Sequence, residues 1–135
     1  MSYEYLDHTA DVKFRAVGST VSEMYISAAD ALLDTMRGDI KILEQKEISI
    51  EVEGKDHEIL LHNFLEEFLF LLDAKDFLVA KIKDLSISEN KIKFVVVGDS
   101  ADNYKFTNDV KAITFNEMKI GEDGGKYYAE VILDV

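Results

Sequence analysis

The sequence predicts an α+β fold, a single-domain sandwich in which two helices pack on a mixed or antiparallel β-sheet. Three observations carry it. Two stretches repeat apolar residues at helical spacing, and most of the others alternate apolar and polar residues with the period of half-buried strands. The order is strand, helix, strand, helix and then a run of strands, a pattern that reads as α+β. At 135 residues the chain is expected to be one domain, residues 1–135. A chain of this size buries roughly two-thirds of its unfolded surface, enough for a core.

Val12, Phe14 and Ala16 alternate with Lys13, Arg15 and Val17, which predicts a strand closed by Gly18. Thr20-Val21-Ser22-Glu23 fits a capping box, in which Thr20 satisfies an orphan amide and Glu23 reaches back. Val21, Met24, Ala28, Ala31 and Leu32 then recur at helical spacing, so the first helix runs from Val21 to about Arg37, with Gly38 as its stop. Ile48, Ile50 and Val52 alternate with Glu47, Ser49, Glu51 and Glu53 as a second strand. Asp56 caps a second helix, from about His57 to Ala74. Its polar stripe is confined to His62, Asn63, Glu66, Glu67 and Asp73, so the helix is expected to be buried on most sides. Phe70 falls inside that stripe, either as a lone exposed apolar residue or as a partner contact.

The remainder reads as strands. Phe77 to about Ser88 and Lys91 to Gly98 are joined by Glu89-Asn90, and Ser100 to Asp109 is a polar loop. Val110 to Ile120 and Tyr127 to Val135 form a hairpin around Gly121-Glu122-Asp123-Gly124-Gly125. Tyr127, Ala129, Val131, Leu133 and Val135 share one face, with Tyr128, Glu130, Ile132 and Asp134 on the other. No internal repeat, low-complexity segment or linker interrupts the chain.

Composition narrows the function. Cysteine is absent, which removes disulfides and thiolate metal sites. Met1 to Tyr5 has no basic region followed by an apolar run, so no signal peptide is expected. No apolar stretch approaches the ~20 residues of a membrane span, so no membrane partner and a cytoplasmic location are expected. A net charge of −12 opposes direct nucleic-acid binding, since phosphate contacts need a basic surface. It suits cations or a basic partner, and it also serves plain solubility.

Asp7, His8 and Asp11 place two carboxylates and an imidazole within five positions, just before a strand. Asp134 is penultimate on a strand ending at Val135, which adds a terminal carboxylate. Carboxylate, carbonyl and water oxygens are what hard cations such as Ca²⁺ and Mg²⁺ take. The expectation is that the two ends lie side by side and build one acidic, oxygen-rich site. The plainer alternatives are a polar turn around Asp7 and Thr9 and a frayed terminus. The apolar alternation through Val131, Leu133 and Val135 argues against fraying. Lys111, read as lying on a strand, could hold an anion or balance the carboxylates. A glycine-rich phosphate loop, a nucleophilic serine elbow and a zinc-type histidine pair are all missing. His57 and His62 read as helix-surface residues.

Asp7-His8-Thr9-Ala10-Asp11-Val12 resembles the signature of the archeases. So do the leucine-rich helix Asn63 to Asp73, the segment Val110-Lys111-Ala112-Ile113-Thr114 and the terminal Ile132-Leu133-Asp134-Val135. The four motifs fall in the family's order over essentially the whole chain. Asn116 stands where the family usually has histidine, which removes any role for that imidazole here. The resemblance implies a protein cofactor rather than an enzyme. Archeases assist the RtcB-type RNA ligase of tRNA splicing, promote its guanylylation and multiple turnover, and broaden its nucleotide use. It implies a divalent metal, Ca²⁺ first among the candidates, held by Asp11, Asp134 and Val135. Asp7, His8 and Lys111 match other signature positions. The rival reading is a Ca²⁺-binding, chaperone-like adaptor with no role in ligase catalysis. A metal-dependent hydrolase is a third reading, opposed by the lack of a convincing general base beside the site. Oligomeric state is not legible in the sequence.

Overall fold

Thr20 opens the first helix much as the capping box predicts. In the computed structural model, which describes residues 1–8 and 10–135, its side chain accepts a hydrogen bond from the Glu23 N–H at 3.1 Å. The returning bond is displaced by one residue: the Glu23 carboxylate accepts from the N–H of Ser19 at 3.2 Å. Helix α1 spans Val21–Arg37 and ends at Gly38, whose φ of 70° and N–H bond to the Asp34 carbonyl at 2.8 Å close the last turn. Helix α2 spans His57–Lys75. Asp56 caps it, accepting from the Ile59 N–H at 2.9 Å, and Asp76 ends it in the left-handed region where glycine is commoner.

Among the described residues, seven strands accompany the helices: β1 Ser2–Leu6, β2 Val12–Gly18, β3 Lys46–Glu53, β4 Phe77–Ser88, β5 Lys91–Ser100, β6 Ala112–Asp123 and β7 Lys126–Asp134. They form two antiparallel sheets, of order β1-β2-β7-β6 and β3-β5-β4. The sequence leads to one sheet of mixed or antiparallel pairing; periodicity fixes which side chains share a face, not which strands are neighbours. Strand β1 is not predicted at all. Its residues are exposed or half-buried, so no core pattern marks it. It is held by pairing with β2 and by the Tyr5 hydroxyl, 2.8 Å from Asp34 Oδ2 and 3.1 Å from the Ala31 carbonyl oxygen.

The last hairpin is longer than the sequence suggests. β6 begins at Ala112 rather than Val110 and runs past Gly121 to Asp123, which faces Lys126 across Gly124-Gly125. Both glycines have positive φ, the geometry a two-residue hairpin turn of matched twist requires. The segment after β5 is not all loop, since Ala101–Asn103 forms a 3-10 turn. Asp99 is buried just before it and satisfied by the Tyr104 hydroxyl and the Ser100 N–H, both at 2.8 Å.

One core joins both sheets to both helices. Phe14, Ala129, Val131 and Leu133 come from the first sheet, Val52, Ile92, Phe94 and Val96 from the second. Met24, Leu32 and Met36 of α1 and Leu61, Phe64, Leu65 and Phe68 of α2 fill the space between. Ile132, on the opposite face of β7, is buried as well, in a row between Lys13 and Thr114. Phe70 is 52% exposed, as its place in the polar stripe predicts. No helix among the described residues is long and apolar enough to cross a membrane.

Tyr25 of α1 sits edge-on to Phe64, ring centroids 5.3 Å apart, and burial pushes its phenol up to about 12. Ionising it in place costs more than ionising it in the unfolded chain. Its contribution is therefore complete below about pH 10, the ordinary tyrosine value, and is lost as pH rises toward 12. Folding stability is expected to fall by up to about 1.4 kcal/mol per pH unit across that window from this group alone. Denaturant midpoints of the parent and Tyr25→Phe between pH 9 and 12 check it. Parallel slopes for the two proteins would contradict it.

Candidate functional site

The two chain ends meet. β2 pairs with β7 from Gly18 opposite Tyr127 to Val12 opposite Leu133, and Asp11 and Asp134 are the next residues beyond that last pair. On the far side of β7, Asp134 pairs with Ala112, and its carbonyl accepts from the Lys111 N–H at 2.7 Å. Val135 packs its side chain against the core cluster.

Two depressions flank this junction and share Val12 and Thr35 in their walls. One, of about 390 Å³, is lined by Asp11, Asp34 and Tyr5, and the other, of about 510 Å³, by Asp109, Lys111 and Val135. Asp134 itself is exposed and Asp11 half-buried.

His8 is brought to the same corner. Its Nδ1 lies 3.9 Å from Asp11 Oδ2, and its Nε2 lies 3.4 Å from Glu117 Oε2. Nδ1 is buried and has no hydrogen-bond partner among the described residues. Asp7 is exposed. Lys111 precedes β6 instead of lying on it, is exposed, and meets Asp134 through its main chain. Thr9, one of the two residues of the polar-turn alternative, lies outside the described residues.

The sequence reading omits Glu117, Lys13 and Glu130. Lys13 Nζ lies 3.0 Å from Glu117 Oε1 and 3.8 Å from Glu130 Oε1, and Arg15 Nη1 lies 2.7 Å from Glu130 Oε2. Lys13, and after it His8, hold the Glu117 carboxyl below its usual range, so it is ionised at neutral pH. One signal does mark Glu117: the alternation of β6 fails at Phe115-Asn116-Glu117. Asn116 is exposed in that irregular stretch. His62 does not lie open on the helix surface as its spacing suggests; it is half-buried, stacked on Phe115 at 4.3 Å with its Nε2 3.1 Å from the Ile113 carbonyl oxygen.

Among the described residues, no three side chains of the His, Asp and Glu type converge on one point as a preformed cage. What the junction offers is two carboxylates just beyond the last β2–β7 pair, with main-chain oxygens beside them. That donor set is all oxygen, which is the chemistry a hard cation takes, so the residues fit such an ion in chemistry.

The Archease protein family (MTH1598/TM1083) matches residues 3–135. A protein archease of Methanopyrus kandleri is 34% identical over 140 residues, covering 100% of each chain. One from Pyrococcus abyssi is 36% identical over 141 residues and 98% of each. The solution structure of Methanobacterium thermoautotrophicum protein 1598 superposes with a TM-score of 0.82 at 29% identity, over 98% of each chain. The crystal structure of a Thermotoga maritima protein, described as an archease and possible chaperone, shares the fold with a TM-score of 0.71 at 18% identity over 96% of this chain and 94% of that one.

Proposed function

The chain belongs to the archease family, and from that premise we propose that it is a protein cofactor that activates an RtcB-type RNA ligase. In this reading it promotes the ligase's guanylylation and multiple turnover and broadens its nucleotide use. The observation that supports the reading is the β2–β7 pairing, whose last pair, Val12 with Leu133, is followed on the two strands' outer ends by Asp11 and Asp134. The side chains of Asp11 and Asp134 and a main-chain oxygen of Val135 would hold a divalent cation, Ca²⁺ first, with water completing the shell. Such an ion supplies charge stabilisation to the phosphates of a nucleotide.

The chain's own residues do the positioning. The paired β2 and β7 backbones bring both carboxylates to the end of one ladder, and the Lys111 N–H anchors the Asp134 carbonyl. The net charge of −12 steers the protein toward a basic, RNA-binding partner and speaks against its binding RNA itself. The test is a guanylylation assay on the ligase with this protein substoichiometric, with and without Ca²⁺. Faster formation of guanylylated ligase over many turnovers supports the reading. Ca²⁺ binding without any acceleration would favour the adaptor.

A further inference from the structure

We propose that Glu117 is a positioning residue, which reaches from an irregular turn of β6 to hold His8 and Lys13 and so fixes the chain that carries Asp11. The inference rests on the metal reading above and concerns how that site is kept in place.

The register of β6 against β7 breaks between Thr114 and Lys119, whose partners are Ile132 and Glu130. Four residues, Phe115 to Met118, therefore stand opposite Val131 alone. Glu117 adopts a φ of 54° within this bulge, a conformation side chains larger than glycine rarely take. Bulges re-aim side chains, and here the result is specific. One carboxylate joins Lys13, 104 positions away, to His8, 109 positions away.

Lys13 is a firm anchor, on a paired strand and with its side chain only 13% exposed. His8 stands between Glu117 and Asp11, at 3.4 Å from one carboxylate and 3.9 Å from the other. Ala10, next to Asp11, is itself at a φ of 72°. A solvent-exposed ion pair contributes little to stability. A conformation that costs energy at Glu117 therefore yields little as glue, and its return is order in the segment entering β2. Preorganised ligands bind an ion more tightly because less freedom is lost on binding, and residues behind the direct ligands commonly set metal affinity in this way.

The experiment uses the full chain, with Ca²⁺ as the probe, by calorimetric titration. Metal-free amide exchange at His8, Ala10 and Asp11 is recorded alongside. Glu117→Ala and Lys13→Met, which cut the same link from its two ends, are each expected to weaken Ca²⁺ binding about tenfold. Both should speed exchange at those amides, with the melting temperature nearly unchanged and full occupancy regained at high Ca²⁺. Glu117→Gln, whose amide oxygen still accepts from Lys13 or His8, should recover part of the affinity. Unaltered affinity and exchange beside a parent that binds Ca²⁺ would overturn the inference alone, and so would a loss in Glu117→Ala without one in Lys13→Met. A parent that takes up no Ca²⁺ would overturn the metal reading and this inference with it.

Discussion

Phe64→Ala is expected to cost about 3–5 kcal/mol of folding stability, the largest effect of any single truncation argued for this chain. The ring is fully buried and meets three others: Tyr25 at 5.3 Å, Phe68 at 5.4 Å and Phe94 at 4.9 Å between centroids. Those partners come from α1, α2 and β5, so the cavity left behind touches both helices and the second sheet at once. Edge-to-face pairs add about 0.5–1.5 kcal/mol each beyond area burial, which places the substitution in the upper part of the range. Phe68→Ala should cost nearly as much. The double variant should cost less than the sum, because the two rings share a contact. Phe70→Ala, on the exposed arc of the same helix, should shift stability by no more than about 0.5 kcal/mol. Denaturant midpoints read all four. A Phe64 variant as mild as the Phe70 variant would mean that α2 is not central to the core.

Asp134→Asn and Asp11→Asn carry the largest functional effect. Each removes one anionic oxygen donor from the junction and leaves the fold alone. Asp134 is exposed, and Val131, Ile132 and Leu133 beneath it keep their burial. Ca²⁺ affinity should fall about tenfold or more in either variant, at least the loss seen when only a supporting residue is removed. Ligase activation should fall with it. The metal-free melting temperature should stay level, because neither carboxylate belongs to the buried core. Calorimetry, the guanylylation rate and a melting curve on the same preparations decide the matter. Unchanged affinity in both variants would remove these residues from the site.

What the sequence made legible follows from the range of each signal. Helix ends are local: Thr20 with Glu23, Asp56 with Ile59 and Gly38 after Arg37 each act within a turn, and both helices lie within a residue of the expected bounds. The buried face of each chain end was also legible, in the alternation of Val12 to Ala16 and of Val131 to Val135. Strand partnership was not, since alternation is blind to neighbours, and hence two sheets stand where one was expected. β1 escaped notice because its tyrosines lie on a solvated edge, and edge pairing leaves little compositional trace. At the candidate site, the residue types around Asp11 and Asp134 were readable, but their support was not. Glu117 reaches His8 across 109 positions through a bulge, and only a lapse in the β6 alternation hints at it. Asp7 shows the converse, matching a signature while lying exposed, and Lys111 meets Asp134 through its main chain.

The most direct measurement of the central claim is the electron density of crystals soaked in Ca²⁺. The account predicts one ion at the β2–β7 junction, with side-chain oxygens of both Asp11 and Asp134 at about 2.3–2.6 Å. Density for an ion elsewhere, or a junction whose two carboxylates turn apart into solvent at saturating Ca²⁺, would contradict it.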